Sequence, residues 1–199
     1  MLYLTVRKVP YLRKNFSKRF AGWGNKKVDL FSDQLNTSDS ILDIGCGSGL
    51  VAYTLSNNGF DVRSVDVSNC SLIPQISPEV YDGKRLPYAD KSFDVALLLT
   101  VLHHCNHPEQ VLSEALRVSH KVIVVEDTYN NVFQKYMTYL LDSFVNLGTS
   151  SMTYQNKNHQ EWIETFQKAG GIVSFERQRN QVVLLKQSIF IVESKLGDA

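Results

Sequence analysis

Hydrophobic and polar positions along this chain change in blocks, and the blocks predict alternating strands and helices from residue 40 onward. Short runs rich in valine, isoleucine and leucine predict strands, and the longer stretches between them predict helices. The predicted strands are Ser40–Ile44, Asp61–Val67, Val80–Tyr81, Ser92–Leu99, Lys121–Glu126, Ile172–Glu176 and Ile189–Glu193. The predicted helices are 50–58, a short one over 69–76, one that begins at Pro108, 131–147 and 159–169.

Strands that alternate with helices predict an α/β protein with a parallel sheet. The last two predicted strands are too close in sequence for a crossover helix, so we expect them to pair antiparallel. A chain of 199 residues, 43% hydrophobic and 21% charged, has the size and composition of one globular domain. We therefore expect a single domain over 1–199. Its core would be 31–199, with an apolar helical insertion at about 129–160.

The formal net charge of +1 conceals a basic N-terminal cap segment over residues 1–30. Eight basic residues precede the first acid, Asp29, whereas the other 171 residues hold 13 basic and 20 acidic side chains. Aromatic and aliphatic residues are interleaved with the basic ones. Residues 1–28 could therefore contact a membrane surface or an anionic molecule, or they could pack an apolar face on the domain. The loose spacing of the charges favours packing.

Cysteine usage indicates a reducing, cytoplasmic setting. The chain has three cysteines, Cys46, Cys70 and Cys105, and their spacing is typical of neither a disulfide framework nor a metal site. The histidine-rich run at 103–107 lacks a standard zinc spacing, so we expect no metal. No apolar run reaches the roughly 18 residues that a membrane span needs.

The most informative stretch is ILDIGCGSG, over residues 41–49. A predicted strand carries Asp43 near its end, and Gly45, Gly47 and Gly49 follow at alternate positions. Such a turn before a helix N-terminus lets the backbone approach a nucleotide-like ligand closely. The dinucleotide fingerprint G-x-G-x-x-G needs its third glycine one position later. A carboxylate beside the turn would repel a pyrophosphate, but it suits a ligand that carries an ammonium group and a sulfonium.

The D-x-G-x-G-x-G pattern resembles motif I of the class I methyltransferases that use S-adenosylmethionine (SAM). The segment DGKRLPY at 82–88 resembles this family's (G)D-A-x-x-L-P-F segment. The LHH at 102–104 resembles a segment common in its type 11, small-molecule members. The resemblance covers about 30–194. It implies a Rossmann-like seven-stranded sheet of order 3-2-1-4-5-7-6, with strand 7 antiparallel and helices on both faces.

The resemblance also implies the cofactor and its contacts. SAM would bind and S-adenosylhomocysteine would leave as product. In this family the acid at the position of Asp66 accepts ribose hydroxyls, and the acid at Asp82 meets the adenine amine. Thr100 would border the methionine portion, and Cys46 would be a small lining residue. The implied cofactor-binding residues are Asp43, Gly45, Cys46, Gly47, Gly49, Asp66, Val67, Asp82, Gly83 and Thr100.

Candidate catalytic residues follow the fourth and fifth predicted strands. His103 or His104 should face the methyl donor. These two and His159 are candidate general bases, because imidazole titrates near neutral pH. Three polar residues stand where substrate-orienting side chains lie in the family: Glu126, Asp127 and Tyr129.

We therefore expect SAM-dependent methyl transfer to a small-molecule acceptor by in-line displacement. The apolar helix predicted over 131–147 suits an apolar or lipid-like acceptor. A non-catalytic SAM-binding module, an RNA methyltransferase and an NAD-dependent oxidoreductase stay open as alternatives. The glycine spacing opposes the oxidoreductase. The lack of an Asn/Asp-Pro-Pro-Tyr/Phe motif after the fourth strand opposes methylation of nucleic-acid bases.

Overall fold

A seven-stranded sheet of order β3-β2-β1-β4-β5-β7-β6 forms the centre of the molecule. The computed structural model describes residue 20 and residues 22–136, 155–182 and 185–195. The strands are β1 Ser40–Ile44, β2 Asp61–Asp66, β3 Glu79–Val80, β4 Phe93–Leu99, β5 Ser119–Thr128, β6 Gly171–Val182 and β7 Leu185–Ser194. The first five strands are parallel to one another, and β7 is antiparallel to both β5 and β6. The predicted fold class and strand order are confirmed.

Helices cover both faces of this sheet. They are an N-terminal helix over 22–28, α1 Leu50–Asn57, α2 Pro108–Val118 and α3 His159–Lys168. Residues 132–136 are also helical, and the rest of the helix predicted over 131–147 lies outside the described residues. Pro108 occupies the first turn of α2, where a missing N–H costs nothing. Within the described part of the chain, no helix is long and apolar enough to cross a membrane.

The central strands are apolar on both sides, because helices bury both faces of the sheet. We call one side the α1 face; it is packed by Val28, Phe31, Val51 and Leu55. We call the other side the α2–α3 face; it is packed by Leu112, Leu116, Trp162 and Phe166. Burying each such side chain contributes about 1.5–3 kcal/mol. The N-terminal helix is therefore part of the core on the α1 face.

The antiparallel end of the sheet is longer than the sequence pattern predicts. β6 and β7 each continue well beyond the apolar runs at 172–176 and 189–193, into polar residues such as Gln178 paired with Ser188. Polar side chains hide this extension from a pattern search, because strand periodicity is visible only where one face is apolar. The antiparallel pairing itself is confirmed.

The short helix predicted over 69–76 is wrong, since these residues form an irregular loop. Ser71 Oγ accepts the backbone N–H of Ile73 at 3.1 Å and donates to the Ile73 carbonyl at 2.9 Å. The Asn69 side chain accepts the N–H of Ser71. Local bonds of this kind compete with helical hydrogen bonds. The loop buries Leu72 and Ile73 instead.

Candidate functional site

The glycine turn lies at the carboxyl end of β1, where the strand order reverses between β1 and β4. Gly45, Gly47 and Gly49 have positive φ angles of 70°, 50° and 76°. A Cβ on Gly45 would lie 2.8 Å from a methyl of Val101, and one on Gly49 would lie 2.9 Å from Ser71 Oγ. A Cβ on Gly47 would meet only a carbonyl oxygen at 4.0 Å. Gly45 and Gly49 therefore allow neighbouring side chains to pack against the turn, whereas Gly47 borders open space.

Asp43 supplies a buried carboxylate just before this turn. Its side chain is 2% exposed, and within the described residues its Oδ2 atom has no hydrogen-bond partner. Burial raises the pKa of Asp43 to about 7, against the lowering effect of Lys27 and with a further increase from Asp66. A buried polar atom without a partner is costly unless a ligand supplies the missing hydrogen bond. An ammonium group on a ligand would meet this need.

Asp66, at the end of β2, connects two loops of the site. Its Oδ2 accepts the backbone N–H of Gly47 at 2.9 Å, and its Oδ1 accepts that of Ser68 at 3.2 Å. Each carboxylate oxygen has two lone pairs, so both retain capacity for a further donor. Asp66 thus shapes the glycine turn and can still accept ligand hydroxyl groups.

The loop after β3 brings an apolar surface and an acceptor together. Gly83 has a φ of 77°, and a Cβ there would lie 3.1 Å from a methyl of Val67. Val67 is 60% exposed. Asp82 Oδ1 accepts the backbone N–H groups of Lys84 and Arg85, and these bonds hold the pKa of Asp82 below its usual range. An exposed valine beside an ionised carboxylate suits a flat ring with an amino group.

Sequence reasoning missed the side chains that hold this loop. Arg117, on α2, donates to the carbonyls of Tyr88 at 2.9 Å and Leu86 at 3.1 Å. Glu114 accepts the N–H of Leu86 and forms an ion pair with Arg117 at 2.8 Å. The i,i+3 spacing of Glu114 and Arg117 was visible in the sequence, but such pairs are common on helix surfaces. No local sequence pattern indicated that this pair forms hydrogen bonds with the loop after β3.

Thr100, directly after β4, has a strained backbone. Its φ is 59°, which is rare for a β-branched residue. Its N–H donates to the Val125 carbonyl at 2.6 Å, and its hydroxyl donates to the Leu99 carbonyl at 2.5 Å. Strain of this kind costs about 1–3 kcal/mol and clusters at functional sites. The position of Thr100 at the switch point agrees with that tendency.

The sequence pattern also gave no sign of a site role for Lys27, which stood out only as one of the N-terminal basic residues. The N-terminal helix approaches α1 so closely that a Cβ on Gly24 would collide with Thr54 Oγ1. This close approach brings Lys27 Nζ within 2.9 Å of Thr100 Oγ1. The same Nζ lies 4.8 Å from the centre of the Trp23 ring.

Lys27 also interacts electrostatically with the acids of the site. Burial lowers the pKa of the Lys27 ammonium, while Asp127, Glu126 and Asp43 act to raise it. Removing an ammonium from water favours its neutral form, and nearby carboxylates favour its charged form. Lys27 is thus a cation set among buried acids at the carboxyl edge of the sheet.

The two adjacent acids at the end of β5 point to opposite faces of the sheet. Val124 packs on the α2–α3 face and Val125 on the α1 face, so alternation sends Glu126 to the former and Asp127 to the latter. Gln187 donates to Asp127 Oδ1 at 2.8 Å. Burial, and then the charge of Glu126, raise the pKa of Asp127.

Glu126 supports the turn after β4 through hydrogen bonds to its backbone. It is fully buried, and its Oε1 accepts the backbone N–H groups of Val101 and Leu102 at 3.0 and 2.7 Å. Its Oε2 lies 2.6 Å from His103 Nδ1. His103 is 1% exposed, whereas His104 is partly exposed. The Glu126 carboxylate therefore sets the orientation of the His103 ring.

Two further candidates lie at α3. His159 Nδ1 is 2.9 Å from Ser188 Oγ, and its Nε2 is 3.0 Å from a carboxylate oxygen of Glu176. The hydroxyl of Tyr129 donates to Glu161 in the first turn of α3. These contacts favour an anchoring role for His159, because both of its ring nitrogens are engaged.

Cys46 belongs to the turn as a protonated thiol. Burial raises the pKa of this thiol, and the charges of Asp43 and Asp66 raise it further. The thiolate is the reactive form of cysteine. Cys46 is therefore suited to line the site and not to act as a nucleophile at neutral pH.

The predicted cofactor residues thus come together along one edge of the sheet, in the loops after β1, β2, β3 and β4. Gly47 borders open space, and the Asp43 oxygen that has no partner among the described residues could accept a hydrogen bond from a cationic group of a ligand. Asp66 retains acceptor capacity, and Val67 with Asp82 offers a place for a ring. These features fit a ligand with an amino-acid portion, a ribose and an adenine.

Comparison with known proteins agrees with this assignment. Residues 42–121 match the family model described as a methyltransferase domain. The chain is 28% identical over 118 residues to the ubiquinone biosynthesis O-methyltransferase of Rickettsia bellii, covering 54% of this chain and 49% of that protein. It is 29% identical over 126 residues to the demethylmenaquinone methyltransferase of Renibacterium salmoninarum, covering 56% of this chain and 53% of that protein. The chain spans about half the length of these curated relatives.

A solved structure of a SAM-dependent methyltransferase from Methanosarcina mazei shares the fold. The TM-score is 0.65 at 19% sequence identity, over 84% of this chain and 98% of that chain. The described residues share the fold of this SAM-dependent methyltransferase, and residues 42–121 are similar to the methyltransferase-domain family. These similarities, and the bound S-adenosylhomocysteine of a magnesium protoporphyrin IX methyltransferase with the same fold, support SAM as the cofactor.

Proposed function

We propose that this protein transfers a methyl group from SAM to a hydroxyl oxygen on a small, apolar aromatic acceptor of the quinol type. The observation that carries the proposal is the orphaned, buried Asp43 carboxylate beside the open face of Gly47, at the switch point of the sheet. The two curated relatives are named for ubiquinone biosynthesis and for demethylmenaquinone, which supports a ring acceptor.

When bound, SAM supplies a methyl group on a positively charged sulfonium, which is already activated toward displacement. The protein therefore has mainly to align the acceptor and to exclude water. In our proposal Asp43 faces the ammonium group, Asp66 holds the ribose hydroxyls, and Asp82 with Gly83 and Val67 holds the adenine. The remaining lining is Gly45, Cys46, Gly47, Gly49 and Thr100.

Exposed apolar side chains support an apolar acceptor. Val132, Phe133 and Tyr136, which follow β5, are 69%, 62% and 67% exposed. Trp23, on the N-terminal helix, is 46% exposed. The N-terminal helix reaches the site through Lys27, and residues 132–136 follow the carboxyl end of β5. Exposed apolar patches on a protein surface often mark binding sites. We propose that these two segments form part of the surface that binds the methyl acceptor.

A hydroxyl acceptor must lose its proton as the new bond forms, so a general base would help. We propose His104 for this role, because His103 is buried and its Nδ1 is engaged by Glu126. His103 would then position its neighbour, whose ring centre lies 3.9 Å away. Rates of methyl transfer by His104→Ala and by wild type test the assignment, and equal rates would remove His104 from the mechanism.

Methyl-labelled SAM tests the function as a whole. The acceptors to compare are a short-chain quinol with a free hydroxyl, the same ring with a prenyl tail, and a set of polar small molecules. We expect label in the quinols and little in the polar molecules. Equal labelling of the polar set would contradict the apolar acceptor. Binding of S-adenosylhomocysteine with no labelling of any acceptor would identify a non-catalytic SAM-binding module instead.

A further inference from the structure

We propose that Lys27 binds the carboxylate of the cofactor's methionine portion and thereby makes the site specific for a complete amino-acid tail. This inference rests on the SAM-dependent function proposed above. Lys27 lies outside every sequence motif of the site, on the N-terminal helix, so its role follows only from where packing places it.

The Lys27 ammonium group has a fixed position. Lys27 Nζ donates to Thr100 Oγ1 at 2.9 Å, and the Thr100 hydroxyl itself donates to the Leu99 carbonyl. The hydroxyl proton therefore points away from Lys27, and a lone pair points toward it. The Trp23 ring lies 4.8 Å from the same Nζ. Lys27 is thus held at the carboxyl end of β4, beside the strained residue that borders the methionine portion.

The Lys27 ammonium group retains hydrogen-bond donors for a ligand. An ammonium group carries three N–H donors. Among the residues that the structure describes, Thr100 is the hydrogen-bond partner of Lys27, so two donors are left for a ligand. A partly buried ammonium gains most from a charged acceptor, because charge-assisted bonds are roughly twice as strong as neutral ones.

Asp43 and Lys27 offer opposite charges to the two charged groups of one ligand portion. The methionine portion of SAM is a zwitterion, with an ammonium and a carboxylate on one carbon atom. Asp43 offers an orphaned carboxylate oxygen for the ammonium, and Lys27 offers N–H donors for the carboxylate. Each of these two side chains acts on the charge of the other.

The surrounding acids make a positive charge at Lys27 necessary for a ligand that carries a carboxylate. Asp43 and Asp127 both lie close enough to influence the Lys27 charge, and both would repel a ligand carboxylate. Lys27 counteracts that repulsion. Without its charge, the site should favour a ligand that has the ammonium but lacks the carboxylate.

Binding measurements test this inference without knowledge of the acceptor. The ligands are S-adenosylhomocysteine and its decarboxylated analogue, which keeps the ammonium and the adenosine. The proteins are wild type, Lys27→Met, Lys27→Arg and the control Lys26→Met, which removes an exposed charge from the same helix. Methionine preserves the apolar stem of Lys27, so folding should be retained, and thermal unfolding checks this.

We expect wild type to bind S-adenosylhomocysteine about tenfold to a hundredfold more tightly than the decarboxylated analogue. Lys27→Met should lose most of this preference, through weaker binding of the carboxylate-bearing ligand alone. Lys27→Arg should retain part of it, and Lys26→Met should match wild type.

An unchanged preference in Lys27→Met would overturn the inference. So would a Lys27→Met variant that binds both ligands as wild type does but no longer transfers methyl groups, because that result would assign the ammonium to the acceptor. Failure of wild type to bind either ligand would instead refute the proposed SAM-dependent function.

Discussion

Gly47 and Gly59 allow the effect of a ligand to be separated from the effect of backbone strain. Their φ angles are 50° and 91°, and a Cβ on either would meet no protein atom closer than 4 Å. An alanine at either position therefore has space in the protein but a disfavoured backbone. Gly47 lies in the turn of the site, and Gly59 follows α1 at its far end.

We predict that Gly47→Ala and Gly59→Ala each lower the free energy of unfolding by about 1–2 kcal/mol. Only Gly47→Ala should also weaken binding of S-adenosylhomocysteine, by at least about tenfold, because its methyl group enters the space left for the ligand. Calorimetric titration and denaturant unfolding measure the two effects. Equal affinities in both variants would show that the ligand does not approach Gly47.

Asp43 makes stability depend on pH in a direction that is unusual for an acid. Burial raises the pKa of the folded-state carboxyl to about 7, whereas an unfolded Asp titrates near 3.9. The folded state therefore keeps its proton to higher pH than the unfolded state does. By linkage, this group makes the protein less stable as pH rises from about 4 to 7.

We predict that Asp43→Asn is more stable than wild type above pH 7 in the absence of ligand. The difference in unfolding free energy between the two proteins should widen by about 2 kcal/mol from pH 5 to pH 8. The same substitution should weaken binding of S-adenosylhomocysteine, because a neutral amide attracts an ammonium less. Urea unfolding at the two pH values measures the first effect, and a constant difference would contradict the raised pKa.

At the scale of elements, the site depends on contacts that join loops to neighbouring helices. The loop after β3 contributes Asp82 and Gly83, but α2 holds it through Arg117 and Glu114. Arg117 also pairs with Asp90, whose side chain is 75% exposed. Exposed ion pairs contribute about 0–1 kcal/mol to stability. The hydrogen bonds from Arg117 to the backbone of the loop should therefore hold the loop more strongly than its pair with Asp90 does.

We predict that Arg117→Met releases the loop over 82–88, with faster amide hydrogen exchange there and weaker binding of S-adenosylhomocysteine. Asp90→Asn is the matched control, because it removes only the exposed partner and should leave both properties near wild type. Exchange measured by mass spectrometry follows the loop directly. Equal exchange in the two variants would mean that α2 does not hold the loop.

At the scale of the whole molecule, the last strand in sequence lies inside the sheet and not at its edge. β7 pairs with β5 on one side and β6 on the other, and Ile189 and Phe190 are fully buried. β3 has two residues, both exposed, at the opposite edge of the sheet. Stability should therefore be distributed unevenly, since local opening is easiest where few contacts are lost.

We predict that the amides of Ile189–Val192 exchange only through global unfolding, whereas those of β3 exchange through local opening. Native-state hydrogen exchange at increasing urea distinguishes the two, because global exchange follows the unfolding free energy and local exchange does not. Early exchange of the β7 amides would show that the antiparallel end is an independent, weaker unit.

The sequence by itself determined most of the secondary-structure elements and the glycine turn proposed to bind the methyl donor. Apolar periodicity predicts β1, β4 and β5 closely, because strands buried on both faces leave continuous apolar runs. The alternate glycines and Asp43 indicate a SAM-type turn, and this signal is also local in the sequence. The φ angles and the close approach that the ligand needs are properties of a few consecutive residues.

Only the tertiary structure decided which distant side chains meet there. It placed Lys27 against Thr100, 73 positions away, and it divided the adjacent Glu126 and Asp127 between two faces of the sheet. It also replaced the helix expected over 69–76 with a loop that packs on Gly49. Packing is a relation between segments far apart in the chain. For that reason, no local pattern marks Lys27, Arg117 or the buried position of His103.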